Sequence, residues 1–280
     1  MGSRSTAGSS LVGAIARHYD SLALLYRTFW GEHIHHGLWL ADDESPHIAQ
    51  EHLIEHLAER AGIGRGERVL DVGCGYGASA RWLSSRFGCR VTGVTISTAQ
   101  ARLARRRNLR QGHASSIHIV RADAAAPPIH DGTFDLVWVV ECIEHLRDKR
   151  RFVEETARVL RPGGRFALCT WLRGDGTPAD DRLVEDVCES FLCPSLASAD
   201  EYRLWCEEAG LGVLCSEDLT SQVRKTWAVL SDRVSRPLLA PLKRMLLDPA
   251  ARRFLDGFAT IAEAYDGGAM SYGLLVAGKL

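Results

Sequence analysis

Between residues 68 and 171, short apolar runs alternate along the chain with longer stretches of helical periodicity. The apolar, partly β-branched runs predict five strands, at Arg68–Val72, Arg90–Thr95, Ile117–Arg121, Phe134–Val140 and 165–171. The intervening stretches 78–87, 98–111 and 149–160 repeat apolar residues at helical spacing and stop at glycine or proline. Strands separated by helices of this length predict right-handed crossovers and a parallel, doubly wound sheet.

The flanking segments predict additional helices and two more strands. Residues 14–62 have helical patterns with an aromatic-rich interruption at 26–39, and 198–210 open on a capping box. Residues 213–219 and 271–278 predict two antiparallel edge strands around a helical insertion, 221–268, broken at Pro237, Pro241 and Pro249. We therefore expect an α/β, Rossmann-like fold with a mostly parallel seven-stranded sheet. It forms one integrated domain: an N-terminal helical lid (1–62), the α/β core (63–172) and the remaining sheet with a helical cap (173–280).

Composition narrows the class of protein. Of the 280 residues 46% are hydrophobic and 25% charged, which excludes disorder. The net charge of −1 gives no bulk attraction to nucleic acid or anionic membranes. No apolar run reaches the roughly 18 residues of a membrane span. The eight cysteines form no C-x-x-C pair, so we expect reduced thiols in a cytoplasmic protein that spans no membrane.

A glycine-rich motif, Val69-Leu-Asp-Val-Gly-Cys-Gly-Tyr-Gly77, joins the first strand to the first helix. Glycines there allow a ligand close to the backbone, and a helix N-terminus favours a negative group. The spacing departs from the G-x-G-x-x-G dinucleotide fingerprint, and no Asp or Glu occurs between Asp71 and Asp123 to hold an NAD ribose. A phosphate-binding loop is excluded because no Gly-Lys-Ser/Thr follows. Asp71 can instead meet an ammonium group.

Polar residues also follow the third and fourth strands. The Asp123 side chain and the Ala124 N–H can read an adenine edge. Glu141 and His145 lie after the fourth strand, at the carboxyl edge where open α/β sheets bind ligands. His145 suits a general base because histidine titrates near neutral pH, although a packed or solvated histidine fits the same position. Glu141 could touch cofactor or substrate, and Glu144 fits a solvated helix residue equally well.

These motifs, with Val159-Leu-Arg-Pro-Gly-Gly-Arg165 before the fifth strand, resemble the class I S-adenosylmethionine-dependent methyltransferases over about residues 66–172. The resemblance implies that S-adenosylmethionine is the cofactor and S-adenosylhomocysteine the product. It assigns Asp71, Gly73 and Gly75 to the methionine end of the cofactor, and Asp123 and Ala124 to the adenine. The core at 63–172 would then bind the cofactor.

The family's usual acidic residue after the second strand, which holds the ribose, is missing here. The segment Gly93-Val-Thr-Ile-Ser-Thr-Ala-Gln100 resembles the subgroup of tocopherol methyltransferases and cyclopropane fatty acid synthases. In that subgroup Thr95, Ile96 and Gln100 would make the ribose and adenine contacts. Within the N-terminal segment (residues 1–62), the stretch from His18-Tyr-Asp20 to Trp39 resembles the lid of tocopherol methyltransferase-like natural-product enzymes. There Tyr19 would close over the cofactor and Trp30 would line the same space.

Several side chains allow two interpretations. His33, His35 and His36 could bind a metal, line an active-site lid or be structural, and we expect no metal. The arginine run 102–110 could contact nucleic acid, but a charge run is typical of a solvated helix face, and we expect no nucleic-acid partner. Aromatic residues further along could line a substrate pocket or pack in the core; they are Trp171, Tyr202, Trp205 and Trp227.

We expect methyl transfer to a small apolar aromatic, prenylated or alkaloid-like acceptor in specialised metabolism. His145 and Glu141 are the candidate catalytic residues. Two alternatives stay open: lipid modification of the cyclopropane-synthase kind, and a cofactor-binding cyclase or regulatory module that transfers no methyl group. Exposed N-terminal helices could also pair in a homo-oligomer.

Overall fold

The computed structural model describes residues 4–235 and 249–280. Seven strands form one sheet: β1 (Arg68–Val72), β2 (Arg90–Thr95), β3 (Ile117–Arg121), β4 (Phe134–Val140), β5 (Leu160–Arg173), β6 (Leu211–Asp218) and β7 (Met270–Lys279). Their order across the sheet is β3-β2-β1-β4-β5-β7-β6. All pairs are parallel except those of β7, which runs antiparallel to both β5 and β6.

Helices cover the sheet and form the N-terminal part of the described chain. The N-terminal segment forms α1 (Arg4–Ser21), α2 (Ala23–Phe29) and α3 (Pro46–Arg60). The core and C-terminal part add α4 (Ala78–Phe87), α5 (Thr98–Arg110), a 3-10 turn (Ile143–His145), α6 (Lys149–Val159), α7 (Pro178–Ser190), α8 (Ala199–Glu208), α9 (Thr220–Val223), α10 (Lys225–Ser235) and α11 (Pro249–Asp266). No helix in the described ranges is long and apolar enough to cross a membrane.

The predicted α/β fold is confirmed, with two local differences. β5 begins at Leu160 and so includes residues 161–164, which were expected only to end α6. A register shift between Phe134 and Leu136 on the neighbouring strand β4 accompanies this irregular start. The prediction that 271–278 is an edge strand was wrong, because β7 lies between β5 and β6 and is buried along most of its length. Pro249 opens α11, whereas Pro237 and Pro241 lie outside the described residues.

The core occupies both faces of the sheet. Along β4, Leu136 and Trp138 belong to one apolar cluster, while Val137 and Val139 belong to the other, as the two-residue repeat of a strand requires. The strand order reverses between β1 and β4, which are hydrogen-bonded neighbours. Open α/β sheets bind ligands at such a switch point, outside the carboxyl ends of the strands. The fold therefore places the residues after β1 and β4 side by side.

Candidate functional site

A cleft of about 990 Å³, its open mouth included, lies at this switch point. The glycine loop, the ends of β2, β3 and β4 and the N-terminal segment form its walls. Eleven of the twelve predicted site residues line it: Tyr19, Asp71, Gly73, Gly75, Thr95, Ile96, Gln100, Asp123, Ala124, Glu141 and His145. The structure thus brings together side chains that are as much as 126 positions apart, such as Tyr19 and His145.

The glycine loop holds a buried carboxyl group beside an open backbone. Asp71 is 3% exposed, its Oδ2 atom has no partner among the described residues, and burial raises its pKa to about 7. Gly73 has a φ of +76°, and a Cβ there would lie 2.4 Å from the Cys142 Cβ. Gly75, at φ +51°, faces free space, since a Cβ would meet nothing closer than 4.0 Å. The loop leaves room for a ligand whose cationic group would complete the hydrogen bonding of Asp71.

The ends of β2 and β3 are tied together at the other end of the cleft. The Thr95 hydroxyl donates to Gln100 Oε1 at 2.8 Å, and Ser97 caps α5 by accepting from the Gln100 N–H at 3.1 Å. The Ala122 N–H donates to the Thr95 carbonyl at 3.1 Å. Asp123 Oδ1 accepts from the Ala125 N–H at 2.9 Å. Local hydrogen bonds thus hold this end of the cleft in place.

Two carboxylates of the N-terminal segment fasten it over the cleft. Asp20 Oδ1 accepts from the Ser97 hydroxyl and, at 2.9 Å, from the Ala99 N–H, at the positive end of α5. Glu32 pairs with Arg81 on α4 at 2.7 Å and with Arg107 on α5. The contacts join the segment to α4, which follows the glycine loop, and to α5, which follows β2.

His145 is a neutral imidazole with a defined tautomer. Its Nδ1 atom lies 3.3 Å from the Leu192 carbonyl, which can only accept, so Nδ1 carries the proton. The Tyr19 hydroxyl, 2.9 Å away, therefore donates to Nε2. Burial lowers the pKa of His145 to about 4. Leu192, at φ +57°, adopts the left-handed conformation after α7 and directs its carbonyl at His145. Nε2 is a proton acceptor at neutral pH.

Glu141 holds the aromatic-rich part of the N-terminal segment against the sheet. Its Oε1 atom accepts from the His36 N–H at 2.7 Å, from His36 Nδ1 at 2.9 Å and from the Tyr272 hydroxyl at 2.8 Å, and Oε2 accepts from the Trp171 indole at 3.0 Å. The Trp227 indole donates to His36 Nε2 at 2.7 Å. Burial raises the pKa of Glu141, but the contacts with His36 outweigh it and lower the pKa to about 2. Glu141 is therefore ionised.

Next to the cleft lies a smaller cavity, the inner cavity, of about 430 Å³ with its opening included, and it shares Tyr19, Ile34, Glu141 and His145 with the cleft. Six aromatic rings from distant parts of the chain form most of its remaining wall: Tyr26, Trp30, Trp171, Phe191, Trp227 and Phe254. Of the four aromatic residues with two interpretations, Trp171 and Trp227 line this cavity and also belong to the buried core. Tyr202 packs in the core on the other side of the sheet, with its ring centroid 5.4 Å from that of Trp205. The wall of this cavity is therefore mostly aromatic.

Trp30 does not line the cleft at the switch point, contrary to the prediction. Its indole N–H donates to the His35 carbonyl at 3.2 Å, and its ring contacts Tyr26, Trp227 and Phe258. These contacts hold the ring in the wall of the inner cavity.

Glu144 also differs from its interpretation as a solvated helix residue. It lies in the 3-10 turn after β4, is 2% exposed and reaches the wall of the inner cavity. Its Oε1 atom accepts from the Thr170 hydroxyl at 2.7 Å and from the Trp171 N–H at 2.9 Å. Its Oε2 atom has no partner among the described residues, and burial raises its pKa to about 7.

The side chains of His33 and His35 contact each other, whereas that of His36 contacts Glu141. His35 Nδ1 donates to the His36 carbonyl at 2.7 Å, so His35 Nε2 accepts from His33 Nδ1 at 3.2 Å. His33 and His35 line the cleft, and burial lowers the pKa of both. Within residues 4–235 and 249–280, no group of three or more His, Cys, Asp or Glu could hold a metal ion. All eight cysteines are free thiols.

Comparison with known proteins decides the family. Residues 70–168 match the model of the methyltransferase domain family. The chain is 31% identical over 297 residues to the chloroplastic tocopherol O-methyltransferase of Arabidopsis thaliana, covering 98% of this chain and 84% of that one. The chain belongs to the class I S-adenosylmethionine-dependent methyltransferases. It is also 35% identical to the 27-O-demethylrifamycin SV methyltransferase of Amycolatopsis mediterranei strain S699, over 78% of this chain and 81% of the relative.

The fold is shared with a crystal structure of the [4+2]-cyclase SpnF, at a TM-score of 0.79 and 26% identity, covering 95% of this chain and 94% of the other. Methyltransferases of this fold have been solved with S-adenosylmethionine bound. S-adenosylmethionine is the cofactor of this methyltransferase. The cleft fits it, because the unpartnered Asp71 oxygen suits the cofactor's ammonium group and Gly75 leaves open space beside it.

Sequence reasoning missed several side chains that shape the site. The Leu192 carbonyl that orients His145, the rings of Phe191 and Phe254, and the Tyr272 hydroxyl on Glu141 belong to no local motif. For Glu144 no local signal existed either, because the 3-10 turn that holds it spans only Ile143–His145 and its donors come from β5.

Proposed function

We propose that this methyltransferase acts on a small apolar aromatic, prenylated or alkaloid-like acceptor whose reactive end enters the inner cavity. The observation that carries the proposal is the Tyr19–His145 hydrogen bond, because both residues line the cleft and the inner cavity at once. A proton acceptor thus lies at the boundary where a methyl group would pass from cofactor to acceptor. A biosynthetic role in specialised metabolism suits so apolar a cavity.

At the cofactor end, the Asp71 carboxylate would hold the ammonium group, while Gly73 and Gly75 admit the methionine part to the backbone. Thr95, Ile96 and Gln100 would contact the ribose and adenine, with Asp123 and Ala124 reading the adenine edge. When bound, S-adenosylmethionine supplies an electrophilic methyl group on a sulfonium. Tyr19 would cover this position from the N-terminal segment and exclude water.

For oxygen or carbon methylation, the acceptor must lose a proton. The Tyr19 oxygen can accept the acceptor's hydrogen while its own O–H donates to His145 Nε2. The proton leaving the acceptor would then bind to the Tyr19 oxygen, and the Tyr19 proton would move to Nε2. The Leu192 carbonyl would hold the resulting imidazolium through Nδ1–H. His145 is the general base in this scheme, and Tyr19 transmits the proton.

Glu141 would act on the acceptor through charge and position. Its ionised carboxylate lines both cavities, so it can stabilise positive charge that develops on the acceptor. Its bonds to His36, Tyr272 and Trp171 join the N-terminal segment, β7 and β5 beside the inner cavity. Proximity and orientation between two joined cavities would supply much of the rate enhancement.

A second candidate is a cyclase that binds the cofactor without using its methyl group. The similarity to the [4+2]-cyclase structure favours it, since fold alone does not decide between the two chemistries. Formation of S-adenosylhomocysteine separates the candidates, because a cyclase would release none.

The test is mass spectrometry of the purified protein with S-adenosylmethionine and a panel of phenolic, prenylated and amine acceptors. We expect a product heavier by one methyl group and an equal amount of S-adenosylhomocysteine. A rearranged acceptor of unchanged mass, with no S-adenosylhomocysteine, would support the cyclase instead.

A further inference from the structure

We propose that Glu144 determines specificity in the inner cavity: its free oxygen accepts a hydrogen bond from a hydroxyl or amino group of the acceptor, and it disfavours acceptors with a carboxylate or phosphate head group. The inference rests on the proposed function, in which this cavity receives the acceptor. It adds the chemical class of the acceptor's buried head group.

The local structure gives the Glu144 carboxyl group a fixed orientation. The Thr170 hydroxyl and the Trp171 N–H both donate to Oε1, at 2.7 and 2.9 Å, from consecutive residues of β5. Two donors on one oxygen hold the plane of the group, so Oε2 keeps a defined position. Buried polar atoms in folded proteins nearly always have partners, and Oε2 has none among the described residues. A ligand donor would complete this bonding.

No protein cation among the described residues serves that oxygen. Lys149 is buried nearby, but its Nζ atom donates to the Leu146 carbonyl at 2.8 Å and lies 3.4 Å from the backbone carbonyl of Glu144. It does not line the inner cavity. Glu141 is the other carboxyl residue in the described lining of the cavity. It is ionised and accepts hydrogen bonds from four donors. Glu141 and Glu144 therefore line the cavity with no Lys or Arg among its described lining residues.

The head group that suits such a wall follows from its chemistry. A hydroxyl or amine supplies a donor to Oε2 and keeps its apolar body on the aromatic rings. A carboxylate or phosphate supplies no donor when ionised, and it would lie beside the Glu141 charge in a site where no described Lys or Arg lines the wall. Electrostatic repulsion is strong away from water, so the cavity should discriminate by charge.

The experiment measures binding at pH 8, where Glu144, with a pKa of about 7, is mostly ionised, and it uses the full chain saturated with S-adenosylhomocysteine. Four probes share one ring system and differ only in head group: 1-naphthol, 1-naphthylamine, 1-naphthoate and 1-naphthyl phosphate. Quenching of tryptophan fluorescence reports binding because Trp30, Trp171 and Trp227 line the cavity, and calorimetry gives the affinity. We expect naphthol and naphthylamine to bind at least tenfold more tightly than the two anions. Equal or tighter binding of the anions, or no binding of any probe, would overturn the proposal.

Glu144→Gln sharpens the test, because an amide keeps the size of the group, offers a donor and removes the charge. In this variant we expect naphthoate to bind about tenfold more tightly, so that the preference for naphthol nearly disappears. Glu154→Gln, on the exposed surface of α6, is the matched control and should keep the full preference. An unchanged preference in Glu144→Gln overturns the assignment.

S-adenosylhomocysteine binding in the same samples is a separate readout. If the wild type does not bind S-adenosylhomocysteine, the proposed function is contradicted. If it binds S-adenosylhomocysteine but shows no head-group preference, only the role of Glu144 is contradicted.

Discussion

The two ends of the site are built in different ways. The cofactor end uses one continuous turn, from Asp71 to Gly77, and short loops after β2 and β3. The inner cavity gathers Tyr26, Trp171 and Trp227 from three separate parts of the chain, and only β5 and the helices around it bring these rings together. One end therefore depends on backbone conformation and one carboxyl group, while the other depends on long-range packing.

Because the two ends are built differently, a substitution at one end can be expected to leave the other end intact. A substitution at the cofactor end should affect cofactor affinity with little effect on the inner rings. The carboxylate of Glu141 connects the ends, because it lines both cavities and binds His36, Trp171 and Tyr272. A substitution at Glu141 should therefore lower the stability of the fold.

The largest effect is expected at the boundary between the two ends, for His145→Ala. Loss of the general base should lower kcat by about 100- to 10,000-fold for an acceptor that must lose a proton. Affinity for S-adenosylhomocysteine should change less than about twofold, since Asp71 and the glycine loop remain. Steady-state kinetics with an acceptor from the panel, beside calorimetry, would measure both.

His118→Ala, at an exposed position of β3, is the matched control and should keep full activity. Because burial lowers the pKa of His145 to about 4, the wild-type kcat at saturating S-adenosylmethionine should show no loss through pH 6.5, where an ordinary histidine becomes protonated. An unchanged kcat in His145→Ala would remove this residue from the mechanism.

The cofactor end should respond to Asp71→Asn with a loss in affinity of about 100-fold, which is the usual scale for removing one partner of a buried charged hydrogen bond. Calorimetric titration with S-adenosylhomocysteine measures it. Asp131→Asn, whose carboxylate is exposed and pairs with Arg158, is the control and should bind normally. An affinity within threefold of wild type would show that the ammonium group binds elsewhere.

The pKa of Asp71 predicts the direction of the pH dependence. Without ligand its carboxyl group has a pKa of about 7, so it is protonated below that pH and must lose a proton to meet an ammonium group. Affinity should therefore fall as pH decreases from 8 to 5.5, by up to about tenfold per unit below pH 7. The Asn variant should lack this dependence, and an equal slope in both proteins would contradict the assignment.

Glu141→Gln should destabilise the fold by about 3 kcal/mol at pH 6. The pKa of Glu141 is lowered from 4.5 to about 2, so its contribution is fully present above pH 4.5 and is lost as pH falls toward 2. The difference from wild type should shrink by about 1 kcal/mol between pH 6 and pH 3.5. Urea unfolding at both values measures it, with Glu154→Gln as a surface control. A difference that does not depend on pH would contradict the ionised state.

The smallest effect is expected for Asp20→Asn, which weakens the attachment of the N-terminal segment to α5. An exposed capping contact contributes about 1 kcal/mol or less, so cofactor affinity should fall by about three- to fivefold. Asp43→Asn, an exposed carboxylate in the same segment, should have no effect. Equal affinities in the wild type and both variants would show that this attachment does not contribute to cofactor binding.

Residue patterns predicted the cofactor end well because its signals are local. Asp71, Gly73 and Gly75 lie where a strand becomes a helix, and the positive φ of both glycines is a property of that single turn. The three helices 78–87, 98–111 and 149–160 were predicted to within one residue at each end, since glycine and proline mark their ends.

The inner cavity was much less predictable. Strand order depends on packing across the whole sheet, so β7 was placed at the edge although its apolar run fits a central position. Trp30 was assigned to the wrong cavity because its direction depends on the His35 carbonyl and the rings of Trp227 and Phe258. The burial of Glu144 likewise follows from β5, whose Thr170 and Trp171 supply its donors.

The most direct test of methyl transfer is to follow one labelled methyl group from S-adenosylmethionine through the wild-type protein with the acceptor panel, by mass spectrometry. We expect a labelled acceptor and S-adenosylhomocysteine in equal amounts. For an acceptor that must lose a proton, both should be nearly absent in His145→Ala although that variant still binds the cofactor. Cofactor bound by the wild type with its labelled methyl retained, while an acceptor is rearranged, would contradict methyl transfer.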